Sequence, residues 1–206
     1  MTPLTSPRTG LILASQSAGR LALLRAAGVT VEAQSPGVDE DSIKAALITE
    51  GAKARDIADA LAEAKAIKVS RKFQTGMVLG CDQILVSADG QLLDKPESPE
   101  AAMAQLKALS ANSHRLISAA VICEGGAPVW RIVDTAQMTM RPLSEQYTAD
   151  YVAQYWDDIR HCVGCYRIEA EGAQLFSSIS GSQFTIIGLP LLPVLDYLRV
   201  REKLPT

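Results

Sequence analysis

The segment Met77–Val86 has the sequence MVLGCDQILV and is apolar almost throughout. A continuous apolar run of this length is typical of a central strand that is covered on both faces of a sheet. Its one charge, Asp82, lies within or just beyond the apolar run, where a carboxylate is unfavourable unless it has a partner. Asp82 is therefore a candidate metal ligand or general base. The alternative is a strand-end residue that points into solvent.

Strands and helices alternate on both sides of this segment. Towards the N-terminus, the sequence predicts strands at Leu11–Ala14 and Val29–Ala33, a helix at Gly19–Ala27 and a long helix at Ala52–Arg71. The acidic group Asp39-Glu40-Asp41 follows a turn, and we expect it to lie in a loop.

Towards the C-terminus, the predicted elements are a turn at Ala88–Gly90 followed by Leu92-Leu93, helices at Ser98–Leu109, Ser144–Trp156 and Pro190–Val200, and strands at Leu116–Cys123, Val129–Met140, Ala173–Ile179 and Phe184–Ile187. Strands that alternate with helices indicate an α/β protein, and the adjacent hairpins make its sheet mixed rather than purely parallel. Residues 1–9 are predicted to be an N-terminal tail and residues 10–206 a single domain.

The composition limits the partners of the chain. It has 206 residues, 48% of them hydrophobic, so it can bury a sizeable core. A formal net charge of -3 argues against a long polyanion, whereas a small anionic ligand held by a few local cations is compatible with it. No apolar run approaches the roughly 18 to 20 residues that span a bilayer, and no secretory signal is evident, so we expect a cytoplasmic protein.

The junction between the first predicted strand and the first predicted helix has the composition of an anion site. A strand there passes through small and hydroxyl residues into a helix, which points free backbone N–H groups at an anion. The residues concerned are Ser15, Ser17, Gly19 and Arg20. In the alternative interpretation, Ser17 only caps the helix and Arg20 is a solvated cation. Neither a Walker-type Gly-Lys-Ser/Thr nor a Gly-x-Gly-x-x-Gly follows a predicted strand, which disfavours P-loop enzymes and Rossmann dehydrogenases.

The segment Cys162-Val163-Gly164-Cys165 has the spacing of a redox pair or of half a zinc site. The sequence lacks the second Cys/His pair of a structural zinc site, so a redox or metal function is the less favoured interpretation. We expect no structural disulfide. For His114, which no nucleophile motif accompanies, a structural hydrogen-bonding role is favoured.

Eight short motifs follow one another along the chain. They are Leu13–Arg20 (LASQSAGR), Val38–Glu40, Ala64–Ala66, Gly80–Gln83 (GCDQ), Lys95-Pro96, Leu109-Ser110 with His114, Gly164 followed by Glu169, and Gly188–Leu191 (GLPL). In this order they resemble the Maf-type (septum formation inhibitor-like) nucleotide pyrophosphatases, from about Leu11 to Leu198.

The resemblance implies hydrolysis of a nucleoside triphosphate between its α- and β-phosphates, giving the monophosphate and pyrophosphate, with a divalent cation, Mg²⁺ or Mn²⁺. It also implies a mixed twisted sheet flanked by helices, in two closely joined lobes with a cleft between them. The partner is then a nucleoside triphosphate rather than a nucleic acid polymer or a membrane. A homodimer is a family-level expectation.

The resemblance further implies a role for each matching residue. Asp82, Lys65 and Glu40 would be catalytic. Glu40 and Asp82 would share the metal, and Asp82 would also orient or deprotonate the attacking water. Cations and hydroxyl groups would hold the phosphates, and these are Ser15, Ser17, Arg20 and Lys95, together with Lys65.

Subfamilies of the Maf-type family that this sequence resembles differ at two positions. In this sequence these positions are Gln83 and Glu169. Gln and Glu resemble the 7-methyl-GTP type, whereas the dTTP/UTP-preferring type has Thr and Gln. A Glu acceptor suits the N1–H and amino edge of guanine, which donate hydrogen bonds. The resemblance thus implies that Gln83 and Glu169 bind the substrate, with a modified or purine nucleotide preferred.

The chain departs from the family pattern in three places. Ala18 and Gly19 replace the usual Pro and the Arg or Trp, Asp94 replaces a Gly before Lys95, and Ser118-Ala119 replace Thr-Gly. Ala18, Gly19 and Asp94 motivate a second hypothesis, a nucleotide-binding regulatory protein with little catalysis. A third hypothesis, based on the cysteine pair, is a thiol redox or metal-binding domain.

Overall fold

The computed structural model describes residues 10–73 and 76–205, and the predicted tail at residues 1–9 lies outside this part of the chain. The strands are β1 (Leu11–Ala14), β2 (Val31–Ala33), β3 (Met77–Val86), β4 (Leu92–Leu93), β5 (Ser113–Glu124), β6 (Ala127–Met140) and β7 (Phe176–Ser180). The α-helices are α1 (Ala18–Ala26), α2 (Glu40–Thr49), α3 (Ala54–Ser70), α4 (Pro99–Leu109), α5 (Glu145–Ile159), α6 (Gln183–Ile187) and α7 (Leu191–Val200), and a 3₁₀ helix covers Glu171–Leu175. Within the described residues, no helix is both long and apolar enough to cross a membrane.

The strands form the mixed sheet that the sequence predicted. Their order is β2-β1-β3-β5-β6-β7, with β4 beside β3. β1 pairs in parallel with β2 and β3, whereas β4 pairs with β3 and β7 with β6 in antiparallel fashion. The helices between the strands complete the predicted α/β class.

β3 is the buried strand that its apolar sequence predicted, and all of its residues except Gln83 are buried. Helix α3 lies directly against this strand at Gly80. A β-carbon at Gly80 would lie 2.2 Å from the Ala62 carbonyl oxygen and 2.7 Å from the Ala66 amide nitrogen. Because only glycine permits this approach, α3 can bring Lys65 against β3.

The chain divides into two compact units. The first contains the residues up to Asp82, Ser118–Asp134 and the residues from Gly188 onwards, and the second contains Gln83–Ile117 and Thr135–Ile187. A large apolar core fills the second unit and includes Leu85, Leu106, Leu109, Leu116, Met138, Met140 and Ile159. The predicted single domain over residues 10–206 and the predicted cleft stay predictions.

The prediction that Asp39, Glu40 and Asp41 lie in a loop was wrong for Glu40 and Asp41, which begin helix α2. Asp39 is the N-cap of α2, and its carboxylate accepts hydrogen bonds from the Ser42 backbone N–H at 3.1 Å and from the Ser42 hydroxyl at 2.8 Å. Glu40 is the first residue of the helix. None of the residues of α2 is fully buried.

Two predicted strands near the C-terminus also need correction. Phe184–Ile187 lies in helix α6, and Ala173–Ile179 begins in the 3₁₀ helix before β7 starts at Phe176. Periodicity does not distinguish a short strand from a short buried helix, so tertiary contacts decide between them. His114 follows helix α4 and lies in β5, which begins at Ser113.

Candidate active site

Three side chains from separate elements form a carboxylate–lysine cluster, which consists of Glu40, Lys65 and Asp82. Lys65 of α3 contacts both carboxylates, with its Nζ 2.7 Å from Asp82 Oδ1 and 2.7 Å from Glu40 Oε2. Asp82 belongs to β3, and Glu40 begins α2. The structure thus brings together the three residues that the motifs implied to be catalytic.

The cluster is largely buried but opens to solvent at Glu40. The side chains of Lys65 and Asp82 are 7% and 8% exposed, whereas that of Glu40 is 46% exposed. Burial raises the pKa of the Asp82 carboxyl, and the positive charges of Lys65 and Arg20 act in the opposite direction. Removing Lys65 would leave an unpaired buried carboxylate, which is strongly unfavourable. The alternative that Asp82 points into solvent is therefore wrong.

The turn from β1 into α1 contains a second group, the serine–arginine turn, which consists of Ser15, Ser17 and Arg20. Ser17 is the N-cap of α1, and its hydroxyl accepts a hydrogen bond from the Arg20 backbone N–H at 3.3 Å. The Ser15 hydroxyl accepts one from the Ser17 backbone N–H at 3.2 Å. Capping by Ser17 is confirmed, and it is compatible with an anion site because the N-terminus of a helix carries partial positive charge.

Arg20 is buried, so the interpretation as a solvated cation was wrong. Its Nε donates to the Gly188 carbonyl at 2.7 Å, and its Nη1 donates to the Ser15 hydroxyl at 3.1 Å and the Cys81 carbonyl at 3.0 Å. The guanidinium thereby joins the turn to β3 at the residue before Asp82. The contact with Gly188 was not predicted. At Gly188, φ is 108° and a β-carbon would lie 3.1 Å from Arg20 Nε.

The other three predicted substrate-binding residues, Gln83, Lys95 and Glu169, belong to the second unit. The Gln83 side-chain amide donates to the backbone carbonyls of Thr185 and Ile186 at 2.9 and 3.0 Å. These two bonds fix the orientation of the amide. They were not predicted, because the helix that supplies the carbonyls was not predicted.

Glu169 has a cationic neighbour that sequence analysis missed. Arg167 Nε lies 3.3 Å from Glu169 Oε1, and Arg167 Nη1 lies 3.0 Å from Asp158 Oδ1. Lys95 is exposed. The roles of Lys95 and Glu169 towards a substrate stay predictions.

The cysteine pair lacks the electrostatic features of a redox site. The thiols of Cys81, Cys123, Cys162 and Cys165 are free. Burial raises the pKa of Cys165 to about 12 and also raises the pKa of Cys162, whereas reactive cysteines have a lowered thiol pKa. The Cys165 thiol donates to Gln105 Oε1 at 3.3 Å, so it has a structural partner.

His114 has the structural hydrogen-bonding role that was predicted for it. Its Nε2 lies 2.7 Å from the Tyr166 hydroxyl, and its ring centroid lies 5.9 Å from that of Phe176. Burial lowers the pKa of His114 to about 4, so the ring is neutral at physiological pH.

The chain is similar to known proteins over nearly its whole length. A family model described as Maf-like protein matches residues 10–201. A nucleoside triphosphate pyrophosphatase of Ruegeria pomeroyi is 54% identical over 95% of this chain and 98% of its own length. One of Sphingopyxis alaskensis is 50% identical over 95% of this chain and 98% of its own. A 7-methyl-GTP pyrophosphatase of Brucella abortus is 45% identical over 94% of this chain and 96% of its own.

Proposed function

This chain belongs to the Maf-like protein family, and we propose that it is an enzyme that hydrolyses nucleoside triphosphates to the nucleoside monophosphate and pyrophosphate. The observation that carries the proposal is the carboxylate–lysine cluster, in which Lys65 lies 2.7 Å from both Glu40 and Asp82. Its carboxylates and ammonium are the groups that hydrolysis of a phosphoanhydride needs for water activation and charge neutralisation. Relatives that are 54% and 50% identical are named for this activity.

We propose a divalent cation, Mg²⁺ or Mn²⁺, as the cofactor, held by Glu40 and Asp82. The donor set fits, because Mg²⁺ is usually bound by one or two carboxylates together with substrate phosphates. Within residues 10–73 and 76–205, no three His, Cys, Asp or Glu side chains cluster into a complete metal site. When bound, the cation would neutralise phosphate charge and lower the pKa of a bound water.

We assign Asp82 the role of orienting the attacking water and accepting its proton. Burial raises the pKa of this carboxyl, which makes it a better base than an exposed aspartate. The water oxygen would bond to phosphorus as the anhydride between the α- and β-phosphates breaks, and the nucleoside monophosphate and pyrophosphate would leave. Lys65 and Arg20 would counter the negative charge that develops.

The phosphates would be bound by the serine–arginine turn. The hydroxyls of Ser15 and Ser17 and the N-terminal N–H groups of α1 supply donors, and Lys95 supplies charge. Arg20 already donates to three protein oxygens at 2.7, 3.1 and 3.0 Å. We therefore assign Arg20 a second task, which is to hold this turn beside β3.

For the base, we propose a purine or modified purine such as that of 7-methyl-GTP, recognised by Gln83 and Glu169. One relative, 45% identical, is named 7-methyl-GTP pyrophosphatase. Gly19 presents no side chain where the family has a larger one, so base selection would depend on Gln83 and Glu169. The positive charge of a methylated guanine would strengthen its attraction to the Glu169 carboxylate.

We propose the cytoplasm as the compartment of the enzyme. Four free thiols suit a reducing environment. We also propose a homodimer, on the resemblance alone, and analytical ultracentrifugation of the purified protein tests it.

The test of the proposed function is pyrophosphate release from canonical and methylated nucleoside triphosphates, with Mg²⁺ or Mn²⁺. We expect monophosphate and pyrophosphate in equal amounts and no diphosphate. Asp82→Asn should reduce the rate by about 10² to 10⁴-fold, while Asp56→Asn, an exposed control in the first turn of α3, should not. A variant at Asp82 that keeps most of the activity would remove this residue from the base role. Nucleotide binding without turnover would instead support the regulatory hypothesis, which Ala18, Gly19 and Asp94 motivate.

A further inference from the structure

Helix α2 brings Glu40 to the carboxylate–lysine cluster without being fixed by the hydrophobic core. None of its residues, Glu40–Thr49, is fully buried. Partly buried side chains remove less apolar surface from water than core residues do, so they hold a helix less firmly. Polar contacts with α3 therefore carry a larger share of the placement of α2.

Two lysines of α3 make these polar contacts. Lys65 Nζ lies 2.7 Å from Glu40 Oε2, and Lys68 Nζ donates a hydrogen bond to the Gly37 carbonyl oxygen. Lys65 and Lys68 are three residues apart in the helix, so they lie on the same side of it. Gly37 has φ of 56°, a conformation that favours glycine, and it lies three residues before Glu40.

We propose that Lys68 is a positioning residue, which holds Gly37 and thereby keeps Glu40 beside Lys65 and Asp82. The proposal rests on the proposed function, because the position of Glu40 matters for catalysis only if its carboxylate helps to bind the cation. Asp39 lies between Gly37, which Lys68 contacts, and Glu40, the first residue of α2. Its carboxylate caps α2, so a contact at Gly37 is transmitted to the first turn of the helix.

Lys65 alone would hold Glu40 less well once the substrate is bound. Its ammonium has three N–H donors, which are already shared between Glu40 and Asp82, and phosphate oxygens would compete for them. The bond to Glu40 is the one most weakened by water, because this side chain is 46% exposed. Lys68 donates to the backbone carbonyl of Gly37 instead. Bound phosphate would not compete for this bond, so Lys68 would keep Gly37 in place with or without substrate.

Three variants test this role. Lys68→Met removes the donor but keeps most of the length of the side chain. Lys68→Arg restores a donor, and Lys72→Met is the matched control at an exposed lysine four residues further along. Lys68 and Lys72 are both exposed, so these variants should fold. The first measurement is hydrogen–deuterium exchange over residues 38–49 without any ligand. The second is the Mn²⁺ concentration that gives half-maximal pyrophosphate release.

We expect Lys68→Met to accelerate exchange over residues 38–49 and to raise the half-maximal Mn²⁺ concentration about threefold to tenfold. Its kcat at saturating Mn²⁺ should stay within about twofold of the wild-type value, since no group that touches the substrate is removed. Lys68→Arg should recover most of both effects, and Lys72→Met should show neither.

The proposal would be overturned if Lys68→Met and Lys72→Met had the same exchange over residues 38–49 and the same Mn²⁺ requirement. Faster exchange with an unchanged Mn²⁺ requirement would also overturn it, because Lys68 would then stabilise α2 without positioning Glu40. A wild-type protein that releases no pyrophosphate would refute the proposed function, and Lys68 would then have no catalytic group to position.

Discussion

Replacing Gly80 by alanine should push helix α3 away from β3. A β-carbon at this position would lie 2.2 Å from the Ala62 carbonyl oxygen, 2.7 Å from the Ala66 nitrogen and 2.9 Å from the Ala66 β-carbon. Favourable contact between heavy atoms needs about 3.5 Å. Two of the three neighbours are backbone atoms of the helix, so no side-chain rotation relieves the clash. The helix would have to move by at least about 1 Å.

The displacement should affect stability and catalysis separately. Overpacking a well-packed core costs about 1–3 kcal/mol, which lowers the melting temperature of a protein of this size by roughly 2–12 °C. A shift of about 1 Å would also lengthen the Lys65 to Asp82 contact from 2.7 Å to about 3.7 Å, which is beyond hydrogen-bonding distance. Misplacing a catalytic group by this much can reduce the rate by about 10²-fold.

Thermal unfolding and the initial rate of pyrophosphate release, measured well below the melting temperature, separate the two effects of Gly80→Ala. Gly10→Ala is the matched control, because its new methyl group would lie 3.8 Å from the nearest atom, the Thr30 carbonyl oxygen. We expect this control to change neither property. A Gly80→Ala protein with wild-type stability and rate would refute the view that close packing of α3 positions Lys65. Lost stability with an unchanged rate would refute only the link to catalysis.

Two further predictions concern a histidine and two cysteines of the second unit. Burial lowers the pKa of His114 from 6.5 to about 4. Between pH 6.5 and pH 4 the unfolded chain therefore binds more protons than the folded protein. The free energy of unfolding should fall by up to about 3 kcal/mol as the pH drops through this range. Thermal unfolding against pH should show this loss in the wild type but not in His114→Gln, and parallel profiles would contradict it. Replacing Cys162 and Cys165 together by serine should leave pyrophosphate release unchanged in oxidising and reducing buffers, because raised pKa values disfavour reactive thiolates. Lost activity with an intact fold would revive the thiol hypothesis.

The elements with strong local signals could be predicted almost to the residue. β3 is a continuous apolar run, α3 is a long stretch without Pro or internal Gly, and α4 begins at Pro99 behind the cap Ser98. In these elements local preference, capping and burial favour the same structure. The α/β class could be predicted from these elements, because alternation of strands and helices along the chain distinguishes this class from others.

Helices α2 and α6 were not predicted, for different reasons. α2 has local signals in its Asp39 cap and acidic first turn, but it buries no residue fully. α6 has five residues, and its carbonyls at Thr185 and Ile186 accept hydrogen bonds from Gln83, 102 and 103 residues earlier in the chain. Local periodicity contains no information about contacts so distant in sequence.

The residue types of the site could be predicted from the motifs, but their partners could not. Arg20 and Gly188 are 168 residues apart in the chain and 2.7 Å apart in the structure. Gly80, in the middle of the apolar run of β3, is a signal in the sequence that was available and was not used. A glycine inside a strand often marks a close approach by another backbone. At Gly80 that approach is made by α3, the helix that supplies Lys65.

The charges of the site favour a metal–nucleotide complex over the bare nucleotide as the substrate. Glu40 and Asp82 balance the charges of Lys65 and Arg20, so a triphosphate would meet two carboxylates without a net excess of positive charge. A divalent cation held by these carboxylates would give the site a net positive charge, and phosphate oxygens of the substrate are usual further ligands of such a cation. Cation and nucleotide should therefore bind with positive coupling. Glu40 is the more exposed of the two carboxylates, and none of the residues of its helix is fully buried. A shift of the Glu40 carboxylate should therefore weaken the coupling between cation and nucleotide more than any other single change in the cluster.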